Sequence, residues 1–291
     1  MHHSWSADIV YMSDTSIAEF PLDEVVRRAR FVIDLLPEVG LGLTQFQDQS
    51  RIQASKSSGE DMSLMTKADK FVEQRLLGAI STNFPEDRIH SEEEGETGQD
   101  GDYQWWIDPV DGTRNFIHGV PLYCISVGLC FREQPVAGIV SVPALGEIYH
   151  AIHGSGAFKN EMPLQVSPMD SIERALVSSG LPYERVSILN SLVANIAAFV
   201  ATGTGLRRTG STVLDLCWIA EGRFDAMWER DVTPWDTAAA SVIVREAGGR
   251  LSDFLGQPFN FKSQELVASN AVLHESVIET LTKARDVEGI N

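Results

Sequence analysis

Residues 105–121 read WWIDPVDGTRNFIHGVP, and this stretch decides the fold. An apolar run predicts a short strand that ends in two carboxylates, Asp108 and Asp111. Pro109 and Gly112 give the backbone around them a rigid, tight path. Two acids held this closely repel each other, with one pKa raised, unless a cation lies between them.

The same segment offers the other groups that a phosphate site needs. Hard divalent cations such as Mg²⁺ bind carboxylate and carbonyl oxygens together with substrate phosphate, and the Val110 carbonyl stands between the two aspartates in the sequence. Gly112 and Thr113 offer backbone N–H groups where a helix begins at Thr113 or just after it, and a helix N-terminus attracts phosphate. These residues predict a phosphate cradle next to a metal site.

Two more acidic segments accompany this stretch. Glu92-Glu93-Glu94-Gly95 precedes the strand, and Trp235-Asp236 opens a helix in the second half. Taken singly, each has an ordinary explanation, because glutamate runs are mostly solvated and Asp236 suits the first turn of a helix. Asp108 and Asp111 could likewise end a strand and form a turn. No single segment therefore decides the chemistry.

The first half of the chain predicts helices followed by an antiparallel meander. One helix opens at Asp23-Glu24 and is ended or kinked by Pro37, and a second runs from about Lys67 to Ile80. Polar composition predicts exposed loops at Gln53–Asp61 and Ser91–Asp102. The predicted strands are Gln104–Ile107, Ser126–Phe131, Val136–Val142 and Glu147–His153.

The second half alternates between strand and helix, which is typical of a sheet covered on both faces. The predicted strands are Ala175–Ser178, Leu206–Arg208, Phe224–Trp228, Arg250–Ser252 and Leu266–Ala268. The predicted helices are Ser187–Ala201, Ser211–Ala220, Trp235–Ala247 and Ser276–Lys283. Gly248-Gly249 supplies the glycine that commonly follows a helix end.

Composition excludes several classes of protein. With 291 residues, 43% hydrophobic content and a net charge of -18, the chain is globular, and its acidic surface repels nucleic acid and anionic membranes as main partners. Cys124, Cys130 and Cys217 predict buried thiols and no disulfide framework. The N-terminus lacks a basic region followed by an apolar run, and Leu192–Val200 is too short to span a bilayer. These features predict a soluble, cytoplasmic protein.

Taken together, the acidic segments resemble a known family. Glu92-Glu93, residues 105–121 and the stretch WDTAAASVIVREAGG from Trp235 are similar to the signatures of the inositol monophosphatase family. The stretch RRTGSTVLDL from Arg207 resembles its bacterial members. The similarity runs from about Lys56 to Asp253, with the blocks in the family's order and spacing. Because separate motifs agree, the chain is identified as a member of this family.

The resemblance implies a site that holds two or three Mg²⁺ ions per subunit. The implied metal ligands are Glu92, Asp108, the Val110 carbonyl, Asp111 and Asp236. The first ion would be held by Glu92, Asp108 and Val110. The second would be held by Asp108, Asp111 and Asp236, and Glu92 would help to hold a weaker third.

The resemblance also implies roles in catalysis and substrate binding. Thr113, supported by Asp69 and Glu93, would orient and deprotonate the attacking water. Backbone N–H groups of Gly112 and Thr113 would hold the phosphate. The implied substrate-binding residues are Glu92, Val110, Asp111, Gly112, Thr113, Gly210, Ser211, Thr212, Glu229 and Asp236, of which Gly210, Ser211, Thr212 and Glu229 would line the alcohol side.

Three residues bear on specificity. Glu229 suits a polyol such as inositol, because a carboxylate can accept hydrogen bonds from two vicinal hydroxyls. Arg114 stands where the family more usually has Thr or Ser, and it either reinforces anion binding or faces solvent. Lys56 falls near the family's loop lysine, before a short insertion.

The implied fold is an α/β layered sandwich (α-β-α-β-α) of the sugar phosphatase-like type. A mostly antiparallel N-terminal half, residues 1–165, would carry most metal ligands, and a mixed C-terminal half, residues 166–291, would carry Asp236 and the specificity residues. This layout requires Asp236 to lie beside the aspartate pair. The resemblance also implies a homodimer.

The implied activity is Mg²⁺-dependent, Li⁺-sensitive hydrolysis of inositol monophosphate to inositol and phosphate by a metal-activated water. Related phosphatases that act on fructose 1,6-bisphosphate, on 3'(2'),5'-bisphosphate nucleotides or on NADP(H) are alternatives. A non-catalytic protein that keeps the fold is a further alternative, and the presence of all the metal-site carboxylates argues against it.

Overall fold

The structure is a computed structural model that describes residues 20–54, 61–181 and 188–288. These residues form seven α-helices, thirteen strands and two short 3-10 helices, Pro143–Leu145 and Ile172–Arg174. The α-helices are α1 (Leu22–Ala54), α2 (Asp61–Asn83), α3 (Thr113–Ile117), α4 (Leu189–Thr202), α5 (Thr212–Ala220), α6 (Pro234–Glu246) and α7 (His274–Glu288).

The strands alternate with these helices in the second half and run almost consecutively in the first. They are β1 (Arg88–Ser91), β2 (Gly95–Gly98), β3 (Tyr103–Asp111), β4 (Cys124–Phe131), β5 (Gln134–Val142), β6 (Glu147–Ile152), β7 (Ala157–Lys159), β8 (Met162–Pro163), β9 (Leu176–Ser179), β10 (Gly205–Arg207), β11 (Ala226–Arg230), β12 (Arg250–Ser252) and β13 (Glu265–Ser269). Each strand predicted from the sequence lies within one residue of an observed strand or inside it, except that β11 begins two residues later and β6 ends before His153.

The strands form two sheets, one from each half of the chain. The first has the order β2-β1-β3-β4-β5-β6-β7-β8, in which β1 and β3 pair in parallel and the other described pairs are antiparallel. The second has the order β10-β9-β11-β13-β12, with β9 parallel to both of its neighbours and the other described pairs antiparallel. The division into domains at 165/166 falls between β8 and β9 and stays a prediction.

Side chains that alternate along the strands face different layers, because successive residues of a strand point to opposite faces. On β3, Trp105 belongs to the core formed with α1 and α2, whereas Trp106 belongs to the core formed with α5 and α6. On β11, Met227 joins that central core, and Trp228 packs with α4 and α7. The five layers expected from the family resemblance are therefore confirmed.

Pro37 does not end the first helix. α1 continues through it to Ala54. Its buried face continues across the proline, with Leu36 and Val39 both fully buried in the core shared with α2. A proline inside a helix costs roughly 3 kcal/mol because a hydrogen bond is lost, and here burial of this long face outweighs that cost.

Two further expectations about the first half are corrected. The stretch Ser91–Asp102 is not wholly a loop, because β2 forms within it as an exposed strand paired with β1. α2 begins at Asp61, well before Lys67. Of the loop expected at Gln53–Asp61, the two ends are helical, and residues 55–60, with Lys56, lie outside the described residues.

A pair of glycines lets α6 approach the first sheet closely. Gly128 on β4 pairs with Gly138 on β5. A Cβ on Gly138 would lie 2.7 Å from the carbonyl carbon of Ala239 and closer still to its oxygen, and one on Gly128 would lie 2.7 Å from the Cβ of Ala238. Glycine in a strand often marks such a close approach of another backbone. The pair therefore sets the depth at which α6 carries Asp236.

The three cysteines are buried free thiols, as predicted. The described residues contain no helix with the length and apolarity needed to cross a membrane.

His274 gives the second half a pH-dependent stability. Its ring is fully buried at the start of α7, with Nδ1 2.9 Å from Ser269 Oγ and Nε2 2.8 Å from Ser252 Oγ. Burial lowers the pKa of this imidazole from 6.5 to about 4, with a smaller contribution from Arg250. Because the unfolded chain binds the proton more tightly than the folded one, stability falls as the pH drops from 7.5 towards 5, by about 2 kcal/mol at pH 5.

The measurement is urea unfolding of the wild type and of His274→Gln at pH 7.5 and pH 5. The free energy of unfolding of the wild type should fall by about 2 kcal/mol more than that of the variant between the two pH values. An equal fall in both proteins would show that His274 is not the titrating group.

Candidate active site

A break in the β3–β4 ladder aims the aspartate pair. The register shifts between Asp108 and Asp111, and β3 continues through this irregularity to Asp111, four residues beyond its predicted end. Pro109 has no N–H to donate to the ladder, and a bulge of this kind redirects the neighbouring side chains. Asp108 is 2% exposed and Asp111 9% exposed. Two carboxyl groups are thus buried at one end of the sheet.

The turn after β3 depends on Gly112. This residue has φ 87°, in the left-handed region, and α3 begins directly after it at Thr113, as the sequence predicts. A Cβ at Gly112 would also lie 2.8 Å from the carbonyl oxygen of Leu122. Thr113 Oγ1 donates to the Val110 carbonyl at 3.0 Å, so the threonine and the carbonyl expected to serve the site are adjacent.

Asp236 both caps α6 and faces the aspartate pair. Its Oδ2 accepts hydrogen bonds from the N–H and the hydroxyl of Thr233, at 2.8 and 2.7 Å, which completes a capping box. Asp108, Asp111 and Asp236 each place one oxygen so that the three oxygens lie within 4.8 Å of one another. The ordinary explanation of Asp236 as a helix-cap residue is correct but incomplete.

The second half of the chain also fixes Asp111 directly. Asp111 Oδ2 accepts hydrogen bonds from Ser211 Oγ at 2.5 Å and from the Val213 N–H at 2.9 Å. Ser211 is itself the N-cap of α5, because its Oγ accepts the Leu214 N–H. Ser211 is predicted to contact substrate, and the structure gives its hydroxyl a second task, which is to orient Asp111.

Electrostatics at this cluster favour a bound cation. Burial and the neighbouring carboxylates raise the pKa of Asp108 well above its ordinary value. Burial and Asp236 raise the pKa of Glu92 and of Asp111 to about 7, and Glu92 also hydrogen bonds with Asp108. Burial raises the pKa of Asp236. Carboxylates that resist ionisation together become stable as anions when a divalent cation lies among them.

A cavity of about 490 Å³ opens beside the cluster. The expected residues in its wall are Glu92, Asp108, Val110, Asp111, Gly112, Thr113, Gly210, Ser211, Thr212, Glu229 and Asp236. The cavity is also lined by residues to which the sequence analysis gives no role in the site, namely Gly180, Leu181, Ile188, Arg208, Asp215, Asp231, Val232, Thr233, Trp235 and Gln264. Among the described residues of this wall, Arg208 is the one cation.

Glu229 lies at the cavity wall on β11. The residue is 8% exposed, and burial raises the pKa of its carboxyl group well above the ordinary value. Thr212 Oγ1 donates to its Oε2 at 2.8 Å. A buried carboxylate with unused hydrogen-bond acceptor sites favours a ligand that carries several hydroxyl donors.

Asp69 and Glu93 interact with each other and, through Glu93, with the metal-site residue Glu92. Asp69 on α2 is 4% exposed, and burial together with Glu93 and Glu73 raises its pKa to about 7. Its Oδ2 has no hydrogen-bond partner among the described residues. Neither Asp69 nor Glu93 belongs to the described lining of the cavity. Their catalytic roles stay predictions.

Asp215 is the clearest residue that sequence reasoning missed. It is 2% exposed on α5, accepts the Thr209 hydroxyl at 2.5 Å, and burial raises its pKa to about 7. The signal was present, because Asp215 is the one charged residue of the otherwise apolar helix TVLDLCWIA. Arg114 is exposed and lies outside the described lining of the cavity.

Comparisons with known proteins agree with this geometry. Residues 31–286 match the profile of the inositol monophosphatase family. The chain is 36% identical over 241 residues to an inositol-1-monophosphatase of Synechocystis sp., covering 82% of this chain and 84% of that protein. It is also 36% identical over 222 residues to a fructose-1,6-bisphosphatase/inositol-1-monophosphatase of Aquifex aeolicus, covering 75% and 82%.

A solved structure shares the fold. The crystal structure of the extragenic suppressor protein suhB from Bartonella henselae matches with a TM-score of 0.77 and 27% identity, covering 87% of this chain and 98% of that one. The layered fold and the relatives together define the class, and the protein is a phosphatase. More narrowly, the chain belongs to the inositol monophosphatase family, as its motifs predict. Members of this class act on small phosphorylated substrates.

Proposed function

We propose that this phosphatase hydrolyses inositol monophosphate to inositol and phosphate in a Mg²⁺-dependent reaction, and that it accepts other polyol phosphates more slowly. The observation that carries the proposal is the convergence of Asp108, Asp111 and Asp236 within 4.8 Å, beside a cavity whose wall also bears Glu229. One end of the cavity thus suits a phosphate with its cations, and Glu229 suits the alcohol.

The donor set fits magnesium. It consists of carboxylate oxygens, of which those of Asp108 and Asp111 belong to buried residues, and one backbone carbonyl, which are the hard ligands that this ion prefers. The residues that would hold two or three ions are Glu92, Asp108, Val110, Asp111 and Asp236. When bound, such ions neutralise the phosphate, activate water and stabilise the leaving oxygen of a phosphoester.

The protein's own residues would do the rest. Ser211 and Thr233 keep the carboxylates of Asp111 and Asp236 in place. Backbone N–H groups of Gly112 and Thr113 would bind the phosphate oxygens. Thr113, with Asp69 and Glu93, would orient the attacking water and take up its proton, and Glu229 would accept hydrogen bonds from the hydroxyls of the alcohol.

Arg208 supports a second candidate substrate. A guanidinium on the cavity wall among carboxylates suits a second phosphate on the alcohol. A hexose bisphosphate such as fructose 1,6-bisphosphate carries one, and the relative from Aquifex aeolicus is named for both activities. Glu229, buried and aligned with the alcohol side, favours the inositol ester as the better substrate.

The homodimer implied by the family resemblance and the cytoplasmic location predicted from the sequence belong to the same proposal. Size-exclusion chromatography with light scattering measures the oligomeric state. A mass of about twice 32.0 kDa supports the dimer, and a mass of one chain contradicts it.

A panel of phosphate esters tests the activity. Phosphate release should be fastest with inositol 1-phosphate, should stop when a chelator removes divalent cations, and should return on addition of Mg²⁺. The panel includes fructose 1,6-bisphosphate, adenosine 3',5'-bisphosphate and NADP⁺. If one of these esters is hydrolysed at least tenfold faster than inositol 1-phosphate (about 1.4 kcal/mol), that ester is the preferred substrate and the inositol assignment is wrong. Activity in the presence of chelator would contradict the metal dependence.

A further inference from the structure

The position of the Glu229 carboxylate depends on a residue with no side chain. β9 runs parallel to β11, with Trp228 opposite Ser179, so that Gly180 follows β9 next to Glu229. Both residues line the cavity. A Cβ built on Gly180 would overlap both oxygens of the Glu229 carboxylate and its Cδ. The carboxylate therefore occupies the space that any other residue would fill at this position.

Gly180 is not needed for its backbone conformation. Its φ lies outside the left-handed region that favours glycine, so alanine can adopt the same conformation. The atoms that a Cβ would meet belong to the far end of a flexible side chain. This differs from Gly138, where the overlapping atoms belong to the backbone of α6. At position 180 the carboxylate can give way, and the fold can remain.

Thr212 also holds this carboxylate. Its hydroxyl donates to Glu229 Oε2 at 2.8 Å from the first turn of α5. Thr212 and the backbone of Gly180 thus both contact the carboxylate of Glu229, a residue that is only 8% exposed. A side chain at position 180 would displace this carboxylate and disrupt its hydrogen bond with Thr212.

We propose that Gly180 is a specificity-determining position, because its missing side chain fixes the Glu229 carboxylate where it can accept hydrogen bonds from a polyol. This inference rests on the proposed function. Gly180 is a positioning residue that acts through Glu229. It makes the choice of alcohol depend on β9, a strand that carries none of the expected metal ligands.

The test is a double-mutant cycle of Gly180→Ala and Glu229→Ala. The readout is the ratio of kcat/KM for inositol 1-phosphate to kcat/KM for p-nitrophenyl phosphate, which has no vicinal hydroxyls. Loss of hydrogen bonds to a charged group should lower this ratio about tenfold or more in each single variant. Because Glu229→Ala removes the overlapping atoms, adding Gly180→Ala to it should change the ratio no further.

Gly78→Ala is the matched control, since a Cβ there meets nothing within 4 Å, and it should leave the ratio unchanged. A crystal structure of Gly180→Ala should show the carboxylate displaced from Thr212. If Gly180→Ala fails to fold, folding of the double variant supports the overlap, and its failure overturns the inference.

Two results separate this inference from the proposed function. If Glu229→Ala lowers the ratio and Gly180→Ala does not, Gly180 has no positioning role although the polyol assignment stands. If the wild type shows no preference for inositol 1-phosphate, or keeps it in Glu229→Ala, the proposed function fails first. Equal losses on both substrates in Gly180→Ala would show a general disturbance and would also overturn the inference.

Discussion

Asp108→Asn is expected to lower the rate of phosphate release by about 10³-fold or more, while the fold remains intact. Asp108 is the carboxylate that the proposed site uses twice, once with Glu92 and once with Asp111 and Asp236. Asparagine has the same shape, and its Oδ1 can keep the hydrogen bond from the Val110 N–H, which is 2.9 Å in the structure. The change therefore removes charge and leaves the turn.

The same substitution should raise the Tm of the protein in chelator. Without a cation, Asp108 is buried among Glu92, Asp111 and Asp236, and its pKa is raised well above the ordinary value. Near neutral pH the folded chain must therefore either protonate Asp108 or keep it ionised against the repulsion of its neighbouring carboxylates, and the unfolded chain has neither cost. Because asparagine is neutral, Asp108→Asn removes this destabilisation of the folded state. A loss of activity with a gain in stability is the signature of a site built for a cation.

Thermal unfolding with and without Mg²⁺ measures both effects. Mg²⁺ should raise the Tm of the wild type, because a ligand that binds only the folded state stabilises it, and should raise the Tm of Asp108→Asn much less. Asp170→Asn serves as a control, because Asp170 is an exposed partner of Arg174. An unchanged rate of phosphate release, or an equal response to Mg²⁺ in variant and wild type, would defeat the proposed metal site.

Local sequence patterns predicted most of the elements and the acidic core of the site. Asp108, Pro109, Asp111 and Gly112 lie within five consecutive residues, so their spacing already contains the tight turn that the structure shows. The start of α6 at Pro234, with Asp236 in its first turn, follows from capping chemistry in the same local way. Structural features that depend on residues close together in the sequence can therefore be predicted from the sequence.

Features set by distant contacts were not readable. α1 continues through Pro37 because residues far along the chain cover the buried face of this helix. Gly180 matters only because a parallel strand brings Glu229 beside it. The Ser211 hydroxyl meets Asp111 across 100 residues of sequence. The interaction of Asp69 on α2 with Glu93 likewise joins residues 24 positions apart.

The glycine pair under α6 leads to the largest expected effect on stability. Gly138→Ala should destabilise the protein by about 3 kcal/mol, at the upper end of the usual cost of overpacking. The new Cβ would meet the Ala239 backbone, with the Cα 2.9 Å away and the carbonyl oxygen nearer. Backbone atoms inside a helix cannot swing aside as a side chain can. α6 would have to move away from the first sheet as a unit.

Movement of α6 should also weaken the site, since Asp236 lies one turn before Ala239 on the same helix. Urea unfolding should show the loss of stability, and the rise in Tm on adding Mg²⁺ should shrink in the same variant. Gly78→Ala is the control with the opposite sign. It is exposed inside α2 with nothing near its Cβ, so the helix propensity of alanine should stabilise it by about 0.5–1 kcal/mol. If Gly138→Ala behaved like this control, α6 would not be seated on the glycine pair, and the approach that brings Asp236 to Asp108 and Asp111 would need another cause.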